Sequence, residues 1–408
     1  EGFYYIDKTG LVKELLNPKP AEVTLITRPR RFGKTLAMSM LENFFDIKKN
    51  SRDLFAGLEI SASEELCSRW MNQCPTVSLS FRQVDGLDFS SAYDMLTMVI
   101  SNLFNRHRYL LESQEISEFQ KTAFVQIASQ KATAGEIKNS LILLTDMMQT
   151  YYGKKVLLLV DEYDVPVAKA NNNGYYEEML DVMKGLMQAL KDNRALGFAV
   201  VTGCMKIAKE SIFTGTNNFV SDTIADSRLN EYFGFVQREV DQILADGEIT
   251  DKRELIKQWY DGYHFGDWDV YCPWDVMNYV LELQHNPQAK PAGYWKNTSD
   301  NAIIRSFIDY AGGSITRKLE ILMEGGYIIQ QIDKNLTYDY LHSSEDNLWS
   351  VLYLTGYLTQ VRSETLNREL PAGSAALQIP NAEIREIFET TVIRWFDDLS
   401  LIHISEPT

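Results

Sequence analysis

The sequence predicts an α/β fold with a mainly parallel sheet, and two observations predict it. Three short apolar runs, Val23–Thr27 (VTLIT), Val156–Val160 (VLLLV) and Leu196–Val201 (LGFAVV), have the length and β-branched content of strands. Between them lie stretches with helical apolar spacing, and strands alternating with helices give a sheet whose strands run parallel. The unbroken VLLLV run suits a strand buried on both faces.

Taken in order, residues 1–20 carry a short helical pattern at Leu11, Leu15 and Leu16, before the first strand. Arg28-Pro29-Arg30-Arg31-Phe32-Gly33-Lys34-Thr35 follows VTLIT. It opens a helix whose stripe is Leu36, Met40, Leu41, Phe44 and Phe45. Pro75–Phe81 (PTVSLSF) reads as another strand. Residues 90–150 read as helices parted by polar stretches such as Ser113–Gln120. After VLLLV comes a helix with Met179, Leu180, Met183, Leu186, Met187 and Leu190, and LGFAVV then ends at Thr202-Gly203.

The character changes near Glu231. Residues 236–285 read as helices interrupted by the aromatic and glycine-rich stretch Trp259–Trp274, and 300–365 as further helices. Tyr357–Arg362 pairs with Ala375–Ile379 in an expected hairpin, which with the preceding helices suits a winged-helix-like part. Asn381–Phe396 reads as an amphipathic helix. The expected division is 1–230, an α/β domain; 231–300, a helical lid region; 301–380, a helical or winged-helix-like domain; and 381–398, the start of a truncated C-terminal region. The last ten residues, LSLIHISEPT (399–408), read as a non-native tail of the adapter-derived kind. The start at Glu1 without Met points the same way, to a truncated reading frame.

The 408 residues exceed what one core usually serves. A formal charge of −16 argues against a general nucleic-acid-coating surface, which draws on clustered Lys and Arg. Cys67, Cys74, Cys204 and Cys272 form no CxxC pair and no zinc-ligand spacing, as buried free thiols in a reducing cytoplasm would. No apolar run is long enough to span a membrane, and no secretory leader is present. Asn297 and Asn335 match the glycosylation pattern by chance in a chain of this kind.

The strongest chemical signal is Gly33-Lys34-Thr35 between a strand and a helix. Glycine lets the backbone approach phosphates, and the amides and dipole of a helix start favour an anion. Lys34 would neutralise the outer phosphates and Thr35 would offer its hydroxyl to Mg²⁺. The usual first glycine of such a loop is replaced by Arg28, and Pro29 pushes that residue to extended geometry. Arg30 and Arg31, in the loop, are candidates for phosphate contact or for pairing with acidic neighbours; Phe32 and Leu36 flank the tripeptide and complete the candidate nucleotide-binding set. The second signal is Asp161-Glu162 after VLLLV: Asp161 is the candidate Mg²⁺ holder and Glu162 the candidate general base. Thr202 ends the next strand, where a hydroxyl can sense phosphate or orient water, or simply terminate the strand. Lys206 and Lys209 read as solvated. His264, within WYDGYHFG, reads as part of a packed junction between helices.

These stretches together resemble the bacterial AAA-ATPase-like family whose members often carry a C-terminal PD-(D/E)XK nuclease-like domain. The resemblance rests on YYIDKTG at 4–10, RPRRFGKT at 28–35, LLLVDEYDVP ending at Pro166, KESIFTGTNN at 209–218, YFGF at 232–235, WYDGYHFG at 259–266, YCPWDVMNY at 271–279 and LTGYLT at 354–359. It implies a P-loop NTPase of the additional-strand type, with the sensor strand between the strands carrying Lys34 and Asp161. It further implies ATP and Mg as cofactors, Lys34 and Thr35 as phosphate and metal ligands, and Asp161 and Glu162 as the acidic pair. Where the resemblance leads one to expect an arginine after Thr202-Gly203, this chain has Lys206. It also implies a cytoplasmic protein, and leaves open an oligomer and a nucleic-acid or protein partner for the C-terminal region. Phe3–Asp7 is a candidate neighbour of the base. Two readings of activity stand side by side: an ATP hydrolase, and a nucleotide-gated interaction or nucleic-acid-processing module with little intrinsic hydrolysis.

Overall fold

The computed structural model describes residues 4–206, 219–295, 313–336, 344–366 and 369–392. Phe3, Lys209, the KESIFTGTNN stretch, Asn297 and the 399–408 tail lie outside the described residues. The chain divides into two compact units. The first takes in Glu1–Thr27 and Lys34–Asp222, the second Arg28–Gly33, Thr223–Leu336 and Tyr340–Thr408.

The first unit runs α1 (Gly10–Leu16), β1 (Val23–Thr27), α2 (Lys34–Phe45), α3 (Arg52–Phe55), α4 (Glu64–Trp70), β2 (Thr76–Ser80), α5 (Phe89–Arg106), α6 (Glu118–Ala128), α7 (Ala134–Lys138), α8 (Ser140–Tyr152), β3 (Val156–Asp161), α9 (Val165–Asn173), α10 (Tyr176–Leu186), β4 (Leu196–Gly203) and β5 (Phe219–Asp222). Its five strands form one sheet in the order β2-β3-β4-β1-β5, and every pair is parallel. The strand ending at Thr202-Gly203 therefore lies between β1 and β3, as the resemblance implied.

Burial explains the composition of the strands. All five residues of β1 and all six of β3 are buried, so neither strand alternates polar with apolar. On one face, Val156, Leu158 and Val160 join a core with Leu96, Ile100 and Phe104 of α5, Leu141 and Leu144 of α8, and Met179 and Met183 of α10. Elsewhere in the unit Phe198 of β4 meets an aromatic cluster: Phe45 of α2 at 5.5 Å and Trp70 of α4 at 5.9 Å, both edge-on. The polar stretch between α5 and α6 is a helix start. Ser117 caps α6 by accepting from the amide of Gln120, whose side chain returns the bond. β5 was not expected from the sequence; it is four residues of half-buried edge strand.

The second unit contains α11 (Gln237–Asp246), α12 (Arg253–Tyr260), the hairpin β6 (Tyr263–Phe265) and β7 (Trp268–Val270), α13 (Pro273–His285), α14 (Gly313–Met323), β8 (Ile328–Gln331), α15 (Glu345–Leu354), β9 (Thr359–Gln360), β10 (Ser374–Gln378) and α16 (Ala382–Ile387). The aromatic stretch expected as an interruption between helices is the β6–β7 hairpin, antiparallel from Tyr263↔Val270 to Phe265↔Trp268. The expected pairing near 359 and 377 is present as β9–β10, and β8 adds a third antiparallel strand within a stretch expected to be helical. The amide of His264 donates to Thr359 Oγ1 at 2.7 Å, and Asn381 donates to the Asp261 carbonyl at 2.9 Å, so hairpin, small sheet and α16 are tied together. His264 itself lies 2.9 Å from Asp269, which also pairs with Arg362.

Candidate functional site

In the first unit the sheet brings four predicted residues together at the C-terminal ends of its strands, where α/β folds place their ligands. Asp161 ends β3 and is almost fully buried. Its Oδ2 accepts the hydroxyl of Thr35, the second residue of α2, at 2.8 Å. Its Oδ1 accepts the hydroxyl of Thr202, near the end of β4, at 2.6 Å. Ser80, the last residue of β2, reaches Oδ2 at 3.5 Å. Lys34, the first residue of α2, is buried, with its ammonium 3.6 Å from Cys204 Sγ. Thr202 thus holds the carboxylate in this structure, a position short of touching substrate.

Hydroxyl and carboxylate oxygens 2.8 Å apart at a helix start are the hard-oxygen donors that Mg²⁺ takes. Gly33 has φ +85° and open space where a Cβ would stand, which suits close approach of a phosphate to the backbone. The residues present therefore fit a magnesium-bound nucleotide. Leu36, one residue beyond Thr35, is 60% exposed on α2.

Glu162 follows Asp161 in a left-handed conformation with φ +55°. A non-glycine residue held there costs on the order of 1–3 kcal/mol and persists only where its surroundings enforce it. The enforcement is visible in the turn: the amide of Tyr163 donates to the Thr202 carbonyl at 3.0 Å, and that of Val165 to the Glu162 carbonyl at 3.2 Å.

Sequence reasoning missed Asp164. Its Oδ2 accepts the amides of Cys204 at 2.9 Å and Met205 at 3.0 Å, binding the turn after β3 to the segment after β4. Burial pushes its carboxyl pKa up, while those two amides and the charge of Lys34 pull it down. Asp7, in the stretch considered near the base, accepts Thr9 and the Glu59 amide, a structural role at the start of α1.

The loop at 28–33, which runs directly into Lys34, packs within the second unit. Phe32 is buried between Tyr263 and Phe265 of the hairpin, with ring centroids at 5.0 and 5.1 Å. Arg28, fully buried, lies over the Phe233 ring at 5.1 Å. Pro29 abuts Gly356, where an added Cβ would stand 3.0 Å from Pro29 Cβ. Arg31, with φ +75°, lies over the Trp274 indole at 4.0 Å, and the Cys272 thiol reaches the Arg31 carbonyl at 3.8 Å. Arg30 is half-buried. Of the two arginines, Arg31 is thus the one with an aromatic platform.

Beneath Trp274, Asp275 of α13 and Glu383 of α16 form a buried carboxyl pair, with Glu383 Oε1 also accepting the Trp295 amide at 2.7 Å. Burial and the neighbouring Asp275 charge hold Glu383 well above the usual carboxylate range, so it keeps its proton and donates to Asp275.

Two comparisons bear on this geometry. Residues 1–213 match the family model described as AAA-ATPase-like, "Predicted AAA-ATPase". The chain is also 25% identical over 405 residues to a protein of Azotobacter chroococcum mcd 1 named "Uncharacterized protein in vnfD 5'region". That alignment covers 98% of this chain and 68% of the relative.

Proposed function

The chain belongs to the predicted AAA-ATPase family, and from that premise we propose that it binds ATP with Mg²⁺ at the 28–35 loop and hydrolyses it. The observation that carries this reading is the shared carboxylate: Asp161 accepts the hydroxyls of Thr35 and Thr202, one from the helix that opens after the loop and one from the neighbouring strand. In the proposed complex the amides at the start of α2 and the Lys34 ammonium bind the phosphates. Thr35 and Asp161 hold the metal, which when bound neutralises charge building on the transferred phosphoryl group. Glu162 accepts a proton from the attacking water, and its enforced backbone conformation fixes where the carboxylate starts from. Thr202 orients Asp161, and Asp164 keeps the Cys204–Met205 segment beside Lys34.

The experiment is phosphate release alongside binding of a fluorescent ATP analogue. Glu162→Gln retains binding and loses turnover, by about 10²–10⁴-fold for a general base. Normal turnover in that variant would remove Glu162 from the role.

A further inference from the structure

We propose that Trp274 is a positioning residue for nucleotide binding: its exposed indole is the platform that holds the Arg31 guanidinium ready for the phosphates of a nucleoside triphosphate. The proposal rests on the nucleotide-binding reading of the 28–35 loop and adds to it a residue far away in sequence.

Three observations converge on the pair. The Arg31 guanidinium carbon is 4.0 Å from the indole centroid, the short end of cation–π distances. Arg31 sits two residues before Gly33 with φ +75°, so its backbone is held in a conformation that it does not choose by itself. The same helix start that offers Trp274 also grips that backbone, through the Cys272 thiol at 3.8 Å from the Arg31 carbonyl.

Stacking engages the face of a guanidinium, whereas phosphate is bound by its in-plane N–H groups, so platform and anion do not compete. A long side chain fixed beforehand loses less freedom when the anion arrives, and the saving appears as affinity. The platform rests on buried structure: Asp275 follows Trp274 in the chain and is paired with Glu383 of α16. Yet Trp274 is 41% exposed, more than core packing requires of a large apolar side chain. Lysine at position 31 would not reproduce the arrangement, since an ammonium offers neither the planar face nor the fork.

The test uses the full chain and a fluorescent ATP analogue with Mg²⁺. Trp274→Ala and Arg31→Ala each weaken binding by roughly tenfold, and the double variant is no weaker than Arg31→Ala alone. Trp274→Phe restores most of the affinity, which a merely structural effect of the indole would not predict. The fluorescence difference between the unmutated chain and Trp274→Phe changes on adding nucleotide, and Arg31→Ala abolishes that change. Additive losses in the double variant, or unchanged affinity in Trp274→Ala, overturn the proposal. Lys34→Ala separates the two readings: if it still binds nucleotide, the loop reading itself is wrong. If it loses binding while Trp274→Ala keeps it, only the platform falls.

Discussion

Asp161 shows how much one side chain organises. Its carboxylate ends a fully buried strand and is satisfied by hydroxyls from β4 and α2, with Ser80 of β2 near by. A buried carboxylate stripped of a hydrogen bond costs about 1–3 kcal/mol. Thr202→Val keeps the shape and removes the 2.6 Å bond, so a denaturant titration should read a loss of that size. A midpoint equal to that of the unmutated chain would show that Asp161 does not depend on Thr202. Asp164 makes a second expectation. Replacing it with Ala leaves the Cys204 and Met205 amides without their acceptor, and the same titration should read a loss of at least about 2 kcal/mol. Asp161 was legible in the sequence because strand, acidic pair and preceding apolar run are contiguous. Asp164 was not, because its partners stand 40 and 41 residues away and nothing local marks them.

At the level of elements, the loop before Lys34 is shaped by an aromatic socket. Phe32 lies between Tyr263 and Phe265, and an aromatic side chain removed from such a site costs about 3–5 kcal/mol. The socket accounts for a loop that lacks the usual first glycine: Arg28 is buried over Phe233, and Pro29 fits where Gly356 has no side chain. The motif was readable as a string of residues; its support was not, since Cys272 lies 241 positions from Arg31. The hairpin β6–β7 hid in WYDGYHFG because strands of three residues show no periodicity. β8 was hidden the same way, being four residues long. The link between α13 and α16 carries a pH expectation. An acid whose pKa is raised by folding binds more protons folded than unfolded. Its contribution is therefore greatest in acid and is lost as pH rises through the raised value. Glu383, held up by burial and by Asp275, accordingly lowers stability as pH climbs above the ordinary glutamate range. Glu383→Gln keeps a donor toward Asp275 and removes that titration, so its melting temperature should fall less between pH 5 and pH 9 than that of the unmutated chain. Equal slopes would mean that the pair does not share a proton as described.

For the whole molecule, the sheet order β2-β3-β4-β1-β5 was legible in outline, because buried parallel strands announce themselves as apolar runs. The edge strand β5 escaped that signal, being half-buried and partly polar. Among the described residues no helix is long and apolar enough to cross a membrane. A ligand that binds only the folded chain stabilises it by mass action, about 2.7 kcal/mol at one hundred times its dissociation constant. The central claim is that the 28–35 loop, with Asp161, forms a magnesium-dependent nucleotide site. The most direct measurement is Mg²⁺-dependent binding of a fluorescent ATP analogue to this chain and to Lys34→Ala, with melting temperature read in the same samples. The account predicts binding and a raised melting temperature for the unmutated chain, and loss of both in Lys34→Ala or in chelator. Equal binding by the two proteins, or none by either, would contradict it.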